Sequence, residues 1–120
     1  MAYEWKEHQG KKYLYVDYRE FALLEDKTIA LLESVAKVIL SQPHGSLIFN
    51  NWEGVYVGNK FMKRVKELGK NIFVPRNTRV ANIGISGVKS ILAKAYDTYT
   101  GNKNNGYFHQ ESEALDWLIR

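Results

Sequence analysis

The apolar residues of this chain change their spacing several times between two patterns. Short runs near residues 13–18, 46–50 and 79–86 alternate in polarity or are continuously apolar, which is typical of strands. The segments between them repeat apolar residues every three to four positions, the spacing of one helix face. Parallel strands joined by helices require right-handed crossovers. The pattern therefore predicts an α/β fold in which helices cover a sheet.

In chain order, the first half predicts a hairpin, a helix and a central strand. YEWKEH and KKYLYVDYRE form the hairpin around Gln9 and Gly10. SLIFN is apolar without interruption, as expected of a strand that is covered on both faces. A helix lies between the hairpin and this strand, and it ends near Pro43 and Gly45. Its apolar stripe consists of Leu24, Thr28, Leu31, Leu32, Val35, Val38 and Ile39.

The second half predicts a second helix over NKFMKRVKELGK, with Asn59 as N-cap and Gly69 as the terminating residue. KNIFVPRN allows two alternatives, a strand start or a packed connector, and Pro75 disfavours a central strand. RVANIGIS predicts a strand and YFHQ a short edge strand, and ESEALDWLIR predicts the last helix. The helix before YFHQ ends at Gly101, and its stripe is Val88, Ile91, Leu92, Ala95, Tyr96 and Tyr99.

The resulting order is ββαβαβαβα, and we expect a single domain over residues 1–120 with a mixed β-sheet and helices. The chain has 45% hydrophobic residues and two prolines, the composition of a folded globular protein. It has no cysteine, so disulfides, thiolate metal sites and a cysteine nucleophile are excluded. Its apolar segments are short and interrupted by charge. We therefore expect a soluble, cytoplasmic protein without a membrane span.

The strand RVANIGIS, the helix SGVKSILAKAY and the ending FHQESEALDWL resemble the STAS domain superfamily, and within it the SpoIIAA-like group. The resemblance extends from the second strand to the last helix. It implies a helix-covered sheet that is used in protein regulation, with partner proteins binding near the turn after the third strand. In the anti-anti-sigma members, that turn carries an Asp-Ser-Ser/Thr-Gly type motif whose hydroxyl group is phosphorylated by a partner kinase.

The corresponding stretch of this chain is Asn50 to Gly54, and it contains no hydroxyl group. Between Ser46 and Thr78, Tyr56 carries the only hydroxyl group. A phosphate switch adds a charge of about −2 and needs an acceptor in the turn. We therefore predict a non-enzymatic regulatory or protein-interaction module that lacks this switch.

The turn from residue 50 to residue 58 is rich in aromatic and apolar residues, and this leaves two alternatives. Exposed, they would form a contact patch for a protein partner or a second copy in a homodimer. Buried, they would cap the end of the sheet. The candidate contact residues in and after this turn are Asn50, Asn51, Trp52, Glu53, Tyr56 and Asn59.

The loop from residue 84 to residue 90 connects a strand to a helix, a position that attracts anions. It lacks the spacing of a phosphate-binding loop and of a dinucleotide-binding motif. Ser86 as a helix N-cap would explain it without a ligand. The second hypothesis is a small anionic or lipid-like ligand bound between this loop, with Ser86 and Lys89, and the aromatic turn.

Residues 61–106 hold nine Lys and Arg residues against two Asp and Glu residues. Such a region could attract nucleic acid, an anionic membrane or an acidic protein, but basic side chains on a helix usually form a solvated face. No nucleic-acid-binding motif accompanies them. His8, His44 and His109 lack the spacing of a metal site, and no nucleophile motif is present. The sequence thus predicts no catalytic residue, metal or cofactor.

Overall fold

The computed structural model describes residues 2–120. Its elements confirm the predicted order, and their bounds are β1 Tyr3–His8, β2 Lys11–Asp17, α1 Glu25–Leu40, β3 Leu47–Asn51, α2 Asn59–Leu68, β4 Arg79–Ile83, α3 Val88–Thr100, β5 Asn105–Phe108 and α4 Glu111–Leu118. The five strands form one mixed sheet in chain order. β1 runs antiparallel to β2, and the other neighbours are parallel. The carboxyl ends of β2 to β5 therefore meet at one rim.

The hairpin of β1 and β2 turns where the sequence predicts. Gln9 and Gly10 both have positive φ, 49° and 82°. This pattern is typical of the tight type I′ turn, whose twist matches that of the two strands. In β2, Leu14 is buried on one face and Tyr13 on the other, because helices cover both sides of the sheet.

The sheet separates two hydrophobic clusters. On one face, α1 and α2 pack against the strands through residues such as Val35 and Ile48. On the opposite face, α4 packs on the sheet through residues such as Phe49 and Leu118. α3 lies on the first face next to α2 and contributes only partly buried residues to that cluster.

The structure of the connector between α2 and β4 shows where α2 ends and which of the two alternatives for KNIFVPRN is correct. Gly69 does not end the helical path, because its backbone stays helical (φ −60°) and a π-helical turn, Gly69–Phe73, follows. The strand alternative for KNIFVPRN is therefore wrong, and the packed connector is confirmed by the burial of Phe73. Gly69 has a packing role instead, since a Cβ there would collide with the ring and hydroxyl of Tyr96.

The predicted N-cap of α2 is also wrong. Gly58 occupies the N-cap position, and Asn59 is the first helical residue. The carboxylate of Glu25, from α1, accepts a hydrogen bond from the Phe61 N–H at 3.2 Å. A remote side chain thus satisfies a donor that the local sequence was expected to satisfy.

Of the two predictions for the ends of α3, one is wrong and one is confirmed. Gly87, with φ 57°, occupies the N-cap position, so the prediction that Ser86 caps the helix is wrong. At the other end, Gly101 adopts the left-handed conformation (φ 69°) and confirms the predicted stop.

Candidate binding site

Trp52 fills the turn after β3 and is only 7% exposed. Its ring stacks on Tyr18, with centroids 4.0 Å apart and planes within 9°. Phe61 meets it in an edge-to-face arrangement at 5.5 Å. Of the two alternatives for this turn, the buried cap is confirmed and the exposed patch centred on Trp52 is wrong. Unlike Trp52, Tyr56 has an exposed side chain.

The turn after β3 contacts the loop after β4 at the carboxyl rim. The Trp52 N–H donates to the carbonyl of Ile83 at 2.9 Å. Gly84 has φ 82°, and a Cβ on it would collide with the backbone of Trp52 and Glu53. The aromatic turn and the loop from residue 84 to residue 90 therefore lie side by side, as the second hypothesis from the sequence requires.

The remaining predicted residues of the turn have different environments. Asn51 is buried, and its Oδ1 accepts a hydrogen bond from the Glu53 N–H at 3.1 Å, which shapes the turn. Glu53 and Asn59 are exposed. Because the Glu25 carboxylate already caps α2, the start of that helix is less suited to a ligand than the sequence suggested.

Asn50 and Asn82 are paired across β3 and β4, on the face that α3 covers. The indole Nε1–H of Trp52 donates to Asn82 Oδ1 at 2.9 Å. Asn82 Nδ2 donates to the carbonyl of Gly106 at 3.1 Å. These two partners fix the orientation of the Asn82 amide, because an indole N–H cannot accept and a carbonyl cannot donate.

The orientation of Asn82 determines that of Asn50. Asn50 Nδ2 donates to Asn82 Oδ1 at 3.2 Å, so the Oδ1 of Asn50 is directed away from this bond. Among residues 2–120, this buried oxygen has no hydrogen-bond partner. Leaving such a group unpaired costs about 1–3 kcal/mol. We refer to it below as the Asn50 acceptor.

Lys89 lies in the first turn of α3, and its ammonium group contacts the turn after β3. Nζ donates to the carbonyl of Trp52 at 2.8 Å. Burial lowers the pKa of Lys89, and the nearby Glu53 carboxylate opposes that effect. Lys89 thus links α3 to the same residue that anchors Asn82.

α3 covers a cavity of about 90 Å³ on the sheet. None of the thirteen residues of α3, all of which the structure describes, is fully buried, whereas α1, α2 and α4 each fully bury at least two. The inner side of α3 contributes Leu92, Ala93 and Tyr96 to the cavity wall. Of the residues predicted from the sequence, the cavity is lined by Asn50, Trp52 and Lys89.

A second polar cluster ties the C-terminal half of α3 to β5. The hydroxyl of Tyr107 donates to Asp97 Oδ2 at 2.9 Å, and Asn105 Nδ2 donates to Asp97 Oδ1 at 2.8 Å. Burial and the Asp97 carboxylate both raise the pKa of Tyr107. With Lys89 at its start, α3 is held by polar contacts on both sides of the cavity.

Two tyrosines of the cavity wall stay protonated at neutral pH. Burial raises the pKa of Tyr18 far above its usual value. Burial also raises the pKa of Tyr96 to about 12. At neutral pH the wall therefore presents neutral phenol groups beside the ammonium of Lys89.

Much of the basic excess in residues 61–106 is used in contacts within the chain. Arg64 pairs with Glu33 at 2.8 Å. Arg79 donates to the carbonyl of Trp117 at 2.6 Å and lies over its ring. Lys66 and Lys70 lie over the ring of Tyr99. These partners are spread over different elements, as expected for solvated or structural charges.

The sequence predicts that the three histidines do not form a metal site. His8 Nε2 lies 3.3 Å from Asp116 Oδ1 and connects β1 to α4. Within residues 2–120, His, Asp and Glu side chains form no cluster of three or more that could hold a metal ion. In the same range, no helix combines the length and the apolar character needed to cross a bilayer.

Three residues of the site were not identified from the sequence. Asn82 had a signal, because it is a polar residue at an inward position of an apolar strand, like Asn50 in the neighbouring strand. Tyr18 lies in a short 3-10 turn, Tyr18–Phe21, after β2. Tyr96 had no signal of its own, since its spacing is that of any inward residue of a helix.

No protein-family model matches the chain, and no curated protein matches it significantly. Among solved structures, the chain is similar to an uncharacterised protein of the DUF3478 family with a SpoIIAA-like fold from Shewanella loihica PV-4. The two share 18% identity with a TM-score of 0.64, over 98% of this chain and 92% of that one. At this identity the similarity shows the fold alone. The chain therefore has a SpoIIAA-like fold, as the resemblance predicted.

Proposed function

We propose that this SpoIIAA-like domain is a non-enzymatic binding module that holds a small, mainly apolar molecule between α3 and the sheet. One observation carries the proposal: α3, described over its full length, has no fully buried side chain although it covers a cavity. A helix that closed an ordinary core would bury its inner stripe. A ligand under α3 would complete the missing contact.

The composition of the wall suits a molecule with an apolar body and one polar group. Apolar side chains such as Val57 and Leu92 face the cavity, and the linked polar groups of Asn50, Asn82 and Lys89 lie together near the rim. Removing ~100 Å² of ligand surface from water would contribute about 2.5 kcal/mol.

Binding can be measured by thermal shift and by NMR titration with cyclopentanol, 1-hexanol and hexanoate. We expect stabilisation that increases with ligand concentration. Ala93→Leu fills the cavity and should abolish binding. Ala95→Leu adds the same bulk on the exposed side of α3 and should leave binding unchanged. Wild-type protein that binds none of these probes, or Ala93→Leu protein that binds them equally well, would contradict the proposal.

A protein-binding role, the regulatory function that the resemblance implies, is a second candidate. The outer side of α3 exposes Val88 (72%), Ile91 (69%) and Tyr99. Adjacent exposed apolar side chains are typical of contact surfaces. Lys66 and Lys70 flank Tyr99, so an acidic protein surface would fit. This role suits the cytoplasmic location that the sequence predicts.

The second candidate requires a partner whose binding depends on this side of α3. In a pull-down from an extract of the native cells, Ile91→Asp should lose the partner. Ala30→Asp introduces the same charge on an exposed position of α1 and should retain it. A partner that binds both variants equally would contradict an α3 interface.

A further inference from the structure

The polar side of the cavity is more informative than its size, because its amide groups have fixed orientations. Trp52 Nε1–H and the Gly106 carbonyl orient Asn82, and Asn82 Oδ1 then orients Asn50. Flipping the Asn50 amide would bring two oxygens together. The Asn50 acceptor is therefore a consequence of the network and not an arbitrary choice of rotamer.

We propose that the bound molecule presents a neutral hydrogen-bond donor, a hydroxyl group being the simplest, to the Asn50 acceptor, with its apolar body against Leu92 and Tyr96. This inference rests on the proposed function, because it names the polar group of the molecule held under α3. The observation behind it is a buried acceptor without a partner among residues 2–120, on a residue that lines the cavity.

The charge of Lys89 limits which donors fit. A protonated amine can donate to the Asn50 acceptor, but the ammonium group of Lys89 on the same wall repels it. A carboxylate is attracted by Lys89 but offers the Asn50 acceptor only lone pairs. A hydroxyl group donates to the oxygen of Asn50 and can accept from Lys89. It satisfies both groups without adding charge.

Less than 1 Å² of Asn50 Oδ1 is accessible, so a donor reaches it only if the cavity wall moves slightly around the ligand. A hydroxyl group that reaches this oxygen forms the missing hydrogen bond. A ketone of the same shape cannot form it, because it has no hydrogen to donate. The difference between the two ligands therefore reports on the Asn50 acceptor, since their apolar surfaces are nearly equal.

The test is an NMR titration of the wild-type chain with four ring compounds: cyclopentanol, cyclopentanone, cyclopentylamine and cyclopentanecarboxylate. We expect cyclopentanol to bind about tenfold more tightly than each of the others. Asn50→Leu keeps a similar side-chain volume and removes the acceptor. In this variant, the preference for cyclopentanol over cyclopentanone should fall to about twofold or less. Asn59→Leu, an exposed control at the same rim, should keep the full preference.

The outcomes separate this inference from the proposed function. If none of the four compounds binds, the proposed function is wrong for ligands of this size. If all four bind with equal affinity and Ala93→Leu abolishes binding, the cavity binds ligands but the inference about the hydroxyl group is wrong. Tightest binding of the carboxylate would also overturn it, in favour of the anionic ligand that Lys89 alone would select. The wild-type series decides these cases even if Asn50→Leu does not fold.

Discussion

Helices α3 and α4 cover opposite faces of the sheet near β4 and β5, and they are packed very differently. α4 has eight residues and buries Ala114 and Leu118 almost completely, at 0% and 1% exposure. α3 has thirteen residues and fully buries none along its described length, since Leu92 and Tyr96 are only partly buried. The shorter helix therefore stabilises the fold, whereas the longer one covers a cavity.

The cause of this difference lies in the side chains that each helix meets on the sheet. α4 meets Phe49 and Ala81, which are fully buried and apolar. α3 lies over Asn50 and Asn82, whose amide groups bond to each other and to Trp52. An apolar helix stripe gains little from packing on amide groups, whereas the apolar side chains under α4 give that helix a surface to bury. A polar sheet face thus accounts for a helix that stands apart from it.

The largest expected effect contrasts truncations in the two helices. Leu118→Ala should lower the free energy of unfolding by about 2–5 kcal/mol, because it leaves a cavity in a packed core. Leu92→Ala, on the inner side of α3, should lower it by about 1 kcal/mol or less, because the side chain is only partly buried and lines a cavity. Urea denaturation of both variants measures the difference. Similar losses would show that α3 belongs to the core after all.

Alkaline titration of Tyr96 gives the next largest effect. Burial raises its pKa in the folded state to about 12, from 10.0 in the unfolded chain. The neutral form is thus favoured by folding, and its stabilisation is complete below pH 10 and lost as the pH rises to 12. Two pH units correspond to about 2–3 kcal/mol.

The measurement is the urea midpoint between pH 8 and pH 12. Tyr96→Phe should show a shallower fall than the wild type, and Tyr18 and Tyr107, whose pKa values are also raised, account for part of the slope that remains. Tyr99→Phe, on the exposed side of the same helix, is the control. If the two variants have the same pH profile, the inner side of α3 is open to solvent.

Periodicity predicted the order of the elements but not which helix is packed. The stripe that contains Leu92 and Tyr96 has the same spacing as the stripe of α1 that contains Val35. Spacing reports the amphipathic character of a helix and not its distance from the sheet. Contacts between distant residues were equally hidden, as when Glu25 caps α2 at Phe61. The carboxyl rim was predictable because parallel strands bring their ends together.

A smaller effect is expected where α3 is tied to β5. Tyr107→Phe removes the hydrogen bond to Asp97 and should cost about 1 kcal/mol. Because this bond holds the C-terminal half of α3, the amide hydrogens of α3 should exchange faster in the variant. The exchange rates of the amide hydrogens of α4 should not change. Hydrogen exchange followed by NMR measures both helices at once. Equal acceleration in α3 and α4 would mean that the variant destabilises the whole fold.

The smallest effect is expected at Asn50, which faces α3. The informative result is whether its replacement raises or lowers the free energy of unfolding. Asn50→Leu should leave the free energy of unfolding unchanged or raise it by up to about 1 kcal/mol, because it removes a buried acceptor that lacks a partner within residues 2–120. Asn82→Leu is the opposite case, since it deprives both Trp52 and Gly106 of a partner and should be destabilising. Urea denaturation at pH 7 compares the two. A loss above about 1 kcal/mol in Asn50→Leu would make Asn50 a structural residue like Asn82. Asn50 would then be required for the fold and would not be held free for a ligand.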